Sequence, residues 1–293
     1  MLGISKNNSH DCYPNHASAP VSKATGQKIN LNLKTTGAEY HSYSRNSIER
    51  ISTGSSELDN LLRGGIETKS ITQFYGDSGS GKTQICHSLS SIVSQDKSNG
   101  GVDGKCIYID TEGSFRPERV SEIAKARGFD SDLALENITL YHPLNSEEQE
   151  LIVERDILKD LERSKDKKFK LIVVDSPITH YKTEYIGLSE RSSKLQKLFR
   201  FMSNLRRICQ LYEVAIVVTN HATTIPNSQL DVDIDIKRPA GGNAIGYAST
   251  YTLYLKSTLR VRYDAVLVKC PYKPNRSAIF TIKEIGVTNL FTE

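Results

Sequence analysis

The chain has 293 residues, of which 38% are hydrophobic and 25% are charged, and its formal net charge is +4. These values are ordinary for a soluble globular protein with one large domain and an extension. No apolar run approaches the ~18 residues that span a bilayer, and the N-terminus MLGISKNNSHD lacks the apolar core of a signal peptide. We therefore expect an intracellular protein without a membrane partner.

The cysteines are scattered, with no Cys-x-x-Cys motif and no His/Cys pair at zinc spacing; they are Cys12, Cys86, Cys106, Cys209 and Cys270. The last four lie among apolar residues, which favours buried, reduced thiols and a reducing compartment. The mild positive charge permits an anionic partner without requiring one.

Residues 1–45 are polar, rich in Ser, Asn, Lys and His, and show no sustained amphipathic period. This composition predicts a largely disordered extension with one short attachment segment near Ile29–Leu33. We expect the folded core to occupy residues 46–293.

From Ile51 onward, strand-like apolar runs alternate with helix-period segments. Strands are predicted at 70–76, 105–111, 137–143, 169–176 and 214–220, and helices near 81–95, 116–127, 145–163 and 190–212. The 190–212 helix has an apolar stripe of Leu195, Leu198, Met202, Leu205, Cys209 and Tyr212. The alternation predicts an α/β fold with a mainly parallel sheet between helices. After residue 248, three further strands predict an antiparallel extension of that sheet.

The stretch GDSGSGKT, residues 76–83, matches the phosphate-binding pattern G-x-x-x-x-G-K-[ST] between a predicted strand and helix. Its glycines let backbone N–H groups approach phosphate oxygens, Lys82 neutralises the outer phosphates, and Thr83 offers a hydroxyl to Mg²⁺. The candidate nucleotide-binding residues are Gly76, Asp77, Ser78, Gly79, Ser80, Gly81, Lys82, Thr83 and Gln84. A chance glycine-rich turn of this pattern is expected in about one such chain per hundred.

Two strand-end acids are candidate partners of this loop. Asp175 ends the buried run FKLIVVDS, where an α/β sheet places its ligand site, and is the second candidate metal ligand. Glu112, in IDTEGSF beside Asp110, is the candidate general base. The alternative for Asp175 is a structural role as a turn former or helix cap. The alternative for Glu112 is an acid in a solvated loop.

Six segments together resemble the ATPase core of the RecA superfamily, most nearly archaeal RadA and the eukaryotic strand-exchange recombinases. They are ISTGSSELDNLLRGGIETKSIT, GDSGSGKTQICHSL, IDTEGSFRPERV, LIVVDS, AIVVTN and RPAGGNAIGYAST, within residues 38–293. The resemblance implies a RecA-like P-loop core, ATP and Mg²⁺ as cofactors, and DNA-dependent ATP hydrolysis. It carries over Lys82 and Thr83 as phosphate and metal ligands, Asp175 as the metal carboxylate and Glu112 as the base. Arg116 and Arg119 match arginines near the nucleotide base, or are surface charges at a helix start.

The resemblance also implies two segments that hold single-stranded DNA, or double-stranded DNA as an alternative; we call 179–194 the first and 222–243 the second DNA segment. The candidate DNA-binding residues are Lys182, Arg191, Lys194, Lys237, Arg238, Gly241, Gly242 and Asn243. A solvated helix face is the alternative for the basic residues of 181–210. In the first segment, Gly187-Leu188-Ser189 replaces the usual G-R-G, and in the second, Asp231, Asp233 and Asp235 oppose a polyanion.

Three positions differ from the family pattern around the nucleotide. His221 stands where relatives use a Gln to sense the outer phosphate, and Tyr247 replaces a second sensor, usually His. Lys269 stands where an Asp contacts the neighbouring subunit's nucleotide through a cation, and its ammonium could replace that cation. Alternatively, His221 is a surface loop residue. Lys269 and Lys273 are alternatively two exposed lysines.

The family resemblance also bears on assembly. Relatives carry a helical DNA-binding domain before the core, for which residues 1–45 are too few and too polar. Relatives also insert a Phe-x-x-Ala segment into the neighbouring subunit. The matching residues here are KTTG, 34–37, so Lys34 stands in place of the buried Phe. We therefore expect a homo-oligomer, or a hetero-oligomer with a recombinase, in the cytoplasm or nucleoid of a prokaryote or the nucleus of a eukaryote.

These departures favour an accessory paralogue with ATPase activity, of the RadB type, that serves DNA recombination or repair. The first alternative is a full strand-exchange recombinase that forms filaments on single-stranded DNA. Two others are a nucleotide-gated adaptor with little turnover and a RecA-fold ATPase outside DNA metabolism.

Overall fold

The structure is a computed structural model, and it describes residues 35–164, 167–185, 187–223, 237–241, 243–259, 261–272 and 276–291. Several sequence expectations lie outside these residues. They concern Cys12, Ile29–Leu33, Lys34, Asp231, Asp233, Asp235, Gly242 and Lys273.

The described residues form ten α-helices and twelve strands. The helices are α1 Gly37–Ser47, α2 Ser56–Leu61, α3 Lys82–Ile92, α4 Pro117–Ala126, α5 Ser131–Glu136, α6 Ser146–Leu151, α7 Ile157–Arg163, α8 Thr179–Glu184, α9 Arg191–Tyr212 and α10 Asn243–Ala248. The strands are β1 Arg50–Ile51, β2 Ile66–Glu67, β3 Ile71–Gly76, β4 Lys105–Asp110, β5 Ile138–Tyr141, β6 Phe169–Asp175, β7 Ala215–Thr223, β8 Arg238–Pro239, β9 Tyr251–Leu259, β10 Arg262–Lys269, β11 Ser277–Lys283 and β12 Gly286–Thr288.

One large sheet has the strand order β12-β11-β10-β9-β3-β7-β6-β4-β5, with β8 paired to the end of β7. Its central pairs, from β9 through β3, β7, β6 and β4 to β5, are all parallel. The pairs β9–β10, β10–β11 and β11–β12 are antiparallel. The predicted fold, a mainly parallel sheet with antiparallel C-terminal strands, is confirmed.

The central strands are buried on both faces, which is why LIVV in β6 reads as an unbroken apolar run. Successive residues such as Tyr108 and Ile109 enter opposite cores. One core packs the sheet against α3 and the other packs it against α9. In α9, the predicted stripe is buried at Leu198, Met202, Leu205 and Cys209.

The structure adds elements that the periodicity did not predict. Helix α1, Gly37–Ser47, begins within the polar segment 1–45, where the sequence predicted no helix. The helix predicted at 145–163 is present as α6 and α7, joined by a π-helical turn at Ile152–Asp156. The short helices α2, α5, α8 and α10 were not predicted. The boundary between extension and core stays a prediction.

The thiol prediction can be checked at four positions. Cys86, Cys106 and Cys209 are buried, Cys270 is partly buried, and none of the four forms a disulfide. Across the described ranges, no helix combines the length and the apolarity needed to cross a membrane.

Candidate nucleotide site and its neighbouring segments

The P-loop follows β3 and opens α3, in the predicted strand–loop–helix context. Gly79 and Gly81 have φ of +74° and +93°, a backbone region that disfavours side chains. A Cβ atom at Gly76 would lie 2.2 Å from the carbonyl oxygen of Leu255 on the adjacent strand. Glycine is therefore required at all three positions, and the loop keeps a backbone cradle that suits a phosphate group.

Lys82 is buried at the first position of α3. Its ammonium donates to the carbonyl oxygens of Gly76 and Asp77, at 3.0 and 2.8 Å, and to Ser80 Oγ at 3.3 Å. Burial lowers the pKa of Lys82, although Asp175, Glu112 and Asp77 act in the opposite direction. No carboxylate of the described residues lies within ion-pair distance of this ammonium, so a buried cation faces the cradle, which suits a polyphosphate.

The two candidate metal ligands contact each other. Thr83 Oγ1 donates to Asp175 Oδ2 at 2.8 Å, and Asp175 also accepts from Tyr108 OH at 3.1 Å, from Ser114 Oγ at 3.3 Å and from Thr219. Burial raises the pKa of Asp175, against the hydrogen bonds from Thr219 and Thr83 that lower it. A hydroxyl and a carboxylate at this spacing are hard oxygen ligands of the kind Mg²⁺ prefers. The residues present therefore fit Mg²⁺.

Asp110 shapes the loop that carries Glu112. Its carboxylate accepts backbone N–H groups of Glu112 at 3.2 Å, Ser114 at 3.0 Å and Phe115 at 2.9 Å. Because β4 and β6 are paired in register, Asp110 lies opposite Asp175 at the sheet edge. Asp110 thus serves the loop's structure and directs Glu112 toward the site.

Glu112 accepts three hydrogen bonds on one oxygen atom. Oε1 receives Ser176 Oγ at 2.9 Å, Thr179 Oγ1 at 3.0 Å and His221 Nε2 at 3.0 Å. Burial raises the pKa of Glu112, but the hydrogen bonds from Ser176, Thr179 and His221 outweigh it and leave the pKa below its ordinary value. In the structure one oxygen of this carboxylate is engaged by three side chains, and the choice between a general base and a solvated loop acid stays a prediction.

His221 reaches this carboxylate because of strand register. On adjacent parallel strands, His221 of β7 is the partner of Gly76 of β3, so the strand tip lies beside the start of the P-loop. The strand therefore delivers a polar side chain directly to the nucleotide site. His221 belongs to β7 and contacts Glu112, and its role at the nucleotide, against the alternative of a surface loop residue, stays a prediction.

Arg119 and Gln84 lie together beside the P-loop helix. Arg119 Nε donates to Gln84 Oε1 at 2.9 Å, and its terminal nitrogens contact Glu122 and the carbonyl oxygens of Lys283 and Glu284. The guanidinium is thus held against the turn between β11 and β12. That position agrees with the predicted place of a nucleotide-base contact, and the contact itself stays a prediction.

Arg116 takes a different direction from Arg119. Its guanidinium donates to the carbonyl oxygens of Gly113, at 3.0 Å, and Phe115, at 2.7 Å, while its backbone N–H donates to His87 Nε2 at 3.3 Å. Within one chain, Arg116 therefore stabilises the loop before α4.

Lys269 and Tyr247 lie away from the chain's own P-loop. The Lys269 ammonium donates to the carbonyl oxygens of Gly246 and Ser249, both at 2.7 Å, at the end of α10. Burial, with a smaller effect of Arg206, lowers the pKa of Lys269. Tyr247 is exposed, and its hydroxyl accepts a 3.4 Å bond from Asn243. Within one chain Lys269 caps a helix, and the predicted role at a neighbour's nucleotide stays a prediction.

The basic residues of the first DNA segment differ in solvent exposure and in the helix that carries them. Lys182 is exposed near the end of α8, and Lys194 is partly buried in the first turns of α9. Arg191 begins α9, but its side chain lies outside the description.

The second DNA segment returns to the site through Lys237, whose ammonium lies 2.7 Å from Asp77 Oδ2 in the P-loop. Arg238 is exposed, and its carbonyl oxygen accepts from Thr223 at 3.2 Å. Gly241 has a φ of +78°, and a Cβ there would lie 2.1 Å from Ile178 Cδ1. Asn243 opens α10. The positive φ of Gly241 favours glycine there, and its role in DNA binding stays a prediction.

Several side chains at the site were not among the predicted residues. Tyr108 and Thr219 bond Asp175, while Ser176 and Thr179 bond Glu112. Tyr108 and Thr219 lie at or beyond the middle of β4 and β7, Ser176 directly follows β6, and Thr179 begins α8. Nearness to the carboxyl ends of the strands was therefore the available signal. His87 is the fifth: it stacks on Tyr108 with ring centroids 6.1 Å apart and lies beneath the site.

A parallel sheet with a P-loop, a strand-end aspartate and a nearby glutamate at one edge defines a RecA-type P-loop ATPase core. The profile of the Rad51 family matches residues 44–290. The chain is 40% identical to the DNA repair and recombination protein RadA of Cenarchaeum symbiosum (strain A) over 243 residues, covering 83% of this chain and 59% of that relative. The chain therefore belongs to the Rad51 family of RecA/RadA-type recombinases.

Proposed function

We propose that this chain is an ATP-dependent, DNA-binding protein of recombination or repair, and that it acts as an accessory paralogue with ATPase activity. The observation that carries the proposal is the convergence at one sheet edge of Lys82, the Thr83–Asp175 pair and Glu112. Both DNA segments begin or end beside the same residues. ATP hydrolysis coupled to single-stranded DNA is the activity that this arrangement supports best.

Each residue has a role that follows from its chemistry. The P-loop N–H groups and Lys82 would hold the phosphates, and Thr83 with Asp175 would hold Mg²⁺. Bound Mg·ATP would supply the transferable phosphoryl group and the cation that offsets its charge. The residues of the chain would position the phosphates and the Mg²⁺ ion relative to each other.

Glu112 would orient the attacking water and accept its proton. Its lowered pKa keeps the carboxylate ionised near neutral pH, as a proton acceptor must be. Oε1 is engaged by three donors, while Oε2 has no hydrogen bond within the described part of the chain. Oε2 is therefore the oxygen through which this side chain would contact water.

The accessory role is favoured by departures from the family pattern. Lys34 replaces the apolar plug residue, three aspartates enter the second DNA segment, and His221 and Tyr247 replace both sensors. The first change weakens self-assembly, the aspartates weaken DNA affinity, and the sensor changes alter the coupling between ATP and DNA. None of them removes the residues expected to bind the nucleotide. A filament-forming recombinase is the second candidate, supported by the intact P-loop and Glu112.

ATP turnover with and without oligo-dT tests the proposal. We expect hydrolysis that DNA stimulates, and a loss of about 100-fold or more in Glu112→Gln, the range for a missing general base. Glu118→Gln, an exposed acid on α4, is the matched control and should be unchanged. Little or no turnover would favour the adaptor, and turnover that DNA does not affect would favour the ATPase outside DNA metabolism. Turnover that survives Glu112→Gln would show that Glu112 is not the general base. Electron microscopy with ATP and single-stranded DNA separates isolated particles, expected for the paralogue, from regular filaments.

A further inference from the structure

The carboxylate of Asp175 accepts hydrogen bonds from four side chains. They are Thr83 of α3, Tyr108 of β4, Ser114 of the loop after β4 and Thr219 of β7. Three of them are small hydroxyl side chains, whereas Tyr108 presents its hydroxyl on a large ring that is fully buried. The position of that hydroxyl therefore depends on what packs against the ring.

Strand register brings the Tyr108 hydroxyl to Asp175. On the paired strands β4 and β6, Tyr108 lies opposite Val173, and Asp175 follows two residues later. Since alternate residues of a strand share a face of the sheet, Tyr108 and Asp175 both point to the face that packs against α3. The hydroxyl donates to Asp175 Oδ2 at 3.1 Å, and Thr83 donates to the same oxygen atom at 2.8 Å.

Two further aromatic side chains hold the ring of Tyr108, and we call His87, Tyr108 and Phe115 the aromatic cluster. The His87 ring stacks on Tyr108 with 6.1 Å between the centroids and 23° between the planes, and Phe115 meets Tyr108 edge to face at 4.8 Å. His87 and Phe115 also contact each other, with centroids 5.5 Å apart. All three side chains are buried, so the phenol is packed on both neighbours in geometries that aromatic rings prefer.

The aromatic cluster joins the parts of the chain that form the nucleotide site. His87 lies one helical turn after Thr83 on α3. The backbone N–H of Arg116, next to Phe115 in the loop after β4, donates to His87 Nε2 at 3.3 Å. The P-loop helix and the loop that carries the candidate base therefore meet at the ring of Tyr108.

We propose that Tyr108 is a positioning residue for the magnesium site: its hydroxyl fixes Asp175 Oδ2 beside Thr83, and the aromatic cluster fixes the hydroxyl. The inference rests on the proposed function, because it concerns how the same Mg·ATP site is arranged. Metal-binding carboxylates in proteins are themselves held by hydrogen bonds, and loss of one such partner typically lowers metal affinity about 10-fold to 100-fold. Tyr108 thus acts on the metal through Asp175.

Tyr108→Phe removes the hydroxyl and keeps the ring, so it separates positioning from packing. We expect the Mg²⁺ concentration for half-maximal binding of a fluorescent ATP analogue to rise about tenfold. Binding of the same analogue in EDTA should be unchanged, because the hydroxyl acts on the metal carboxylate. A purely structural role of Tyr108 would weaken both kinds of binding alike.

Tyr141→Phe is the matched control. It also removes a hydrogen bond from a tyrosine to an aspartate, here to Asp160 Oδ2 at 2.6 Å, and it lies on β5, the strand next to β4. This variant should have the Mg²⁺ curve of the wild type.

Phe115→Leu tests the aromatic cluster in a chain that keeps the hydroxyl. We expect a rise of about threefold in the Mg²⁺ requirement, in the range of one aromatic pair. Because Phe115 acts on the metal site through Tyr108, adding Phe115→Leu to Tyr108→Phe should raise the requirement no further. Urea unfolding of each variant checks that it is folded.

The possible results separate the inference from the proposed function. Identical Mg²⁺ curves for Tyr108→Phe and Tyr141→Phe, or equal weakening with Mg²⁺ and in EDTA, would overturn the inference while the proposed function stands. Additive effects of Tyr108→Phe and Phe115→Leu would overturn the part assigned to the aromatic cluster. A wild-type protein that does not bind the analogue, with or without Mg²⁺, would overturn the proposed function and the inference with it.

Discussion

The Thr83 hydroxyl donates a 2.8 Å hydrogen bond to Asp175 Oδ2 and so joins the first turn of α3 to the carboxyl end of β6. Helix α3 and strand β6 are far apart in sequence, and this bond closes the site between them. Both groups are candidate Mg²⁺ ligands, and the bond holds their oxygen atoms close together.

Thr83→Val removes the hydroxyl while it keeps the side-chain volume. We expect the Mg²⁺ concentration for half-maximal ATP binding to rise about tenfold, because one metal ligand and one donor to a buried carboxylate are lost. Thr83→Ser should remain close to wild type. A fluorescent ATP analogue titrated with Mg²⁺ measures this, and identical Mg²⁺ curves for the Val and Ser variants would remove Thr83 from the metal site.

The ion pair between Lys237 and Asp77 links the second DNA segment to the P-loop. Both side chains are partly exposed, so we expect Lys237→Met to change the free energy of unfolding by less than about 1 kcal/mol. Its effect should appear in single-stranded DNA binding, where the slope of log K against log salt becomes shallower by roughly 0.7.

Lys97→Met is the matched control, since Lys97 is an exposed lysine outside both DNA segments that pairs with Glu49. Asp77→Asn should raise DNA affinity, because it removes a carboxylate that competes with DNA phosphates for Lys237. Equal salt slopes for Lys237→Met and Lys97→Met would show that Lys237 does not contact DNA.

His87 predicts a pH dependence of stability. Burial, with a smaller contribution from Arg119, lowers the pKa of His87 from 6.5 to about 4. Between these values the unfolded chain binds a proton that the folded chain does not, so stability falls as the pH decreases through this window. The contribution amounts to about 2 kcal/mol between about pH 7.5 and about pH 5.

Urea unfolding at these two pH values measures the effect in wild type and in His87→Gln. The Gln amide can still accept from the backbone N–H of Arg116 but does not titrate. We expect the wild type to lose more stability than the variant on acidification. Equal losses would mean that His87 is protonated within the fold.

The parts of the site that were predictable from sequence are those determined locally. The P-loop residues are contiguous in sequence, and the backbone conformation of the loop explains its glycines. The positions of Asp175, Glu112 and His221 near strand ends follow from the period of the apolar runs. Their meeting at one edge follows from parallel strand pairing.

The contacts between these residues were not predictable in the same way. Glu112 meets Thr179 and His221 across 67 and 109 residues of sequence, and only side-chain geometry decides which oxygen they share. Lys269 illustrates the same limit, because its helix-capping contacts depend on where α10 ends. The π-helical turn between α6 and α7, Ile152–Asp156, contains no Gly or Pro that would have marked it in the sequence.

The central claim is that the 76–83 loop binds a triphosphate with its magnesium. Calorimetric titration of the purified protein with ATP, in the presence and absence of Mg²⁺, tests it most directly, with Lys82→Ala as the comparison. We predict saturable, Mg²⁺-dependent binding that Lys82→Ala weakens by about 10-fold to 100-fold, the worth of a charged hydrogen-bond partner. Heats that do not saturate for the wild-type protein, or equal binding by Lys82→Ala, would contradict the account.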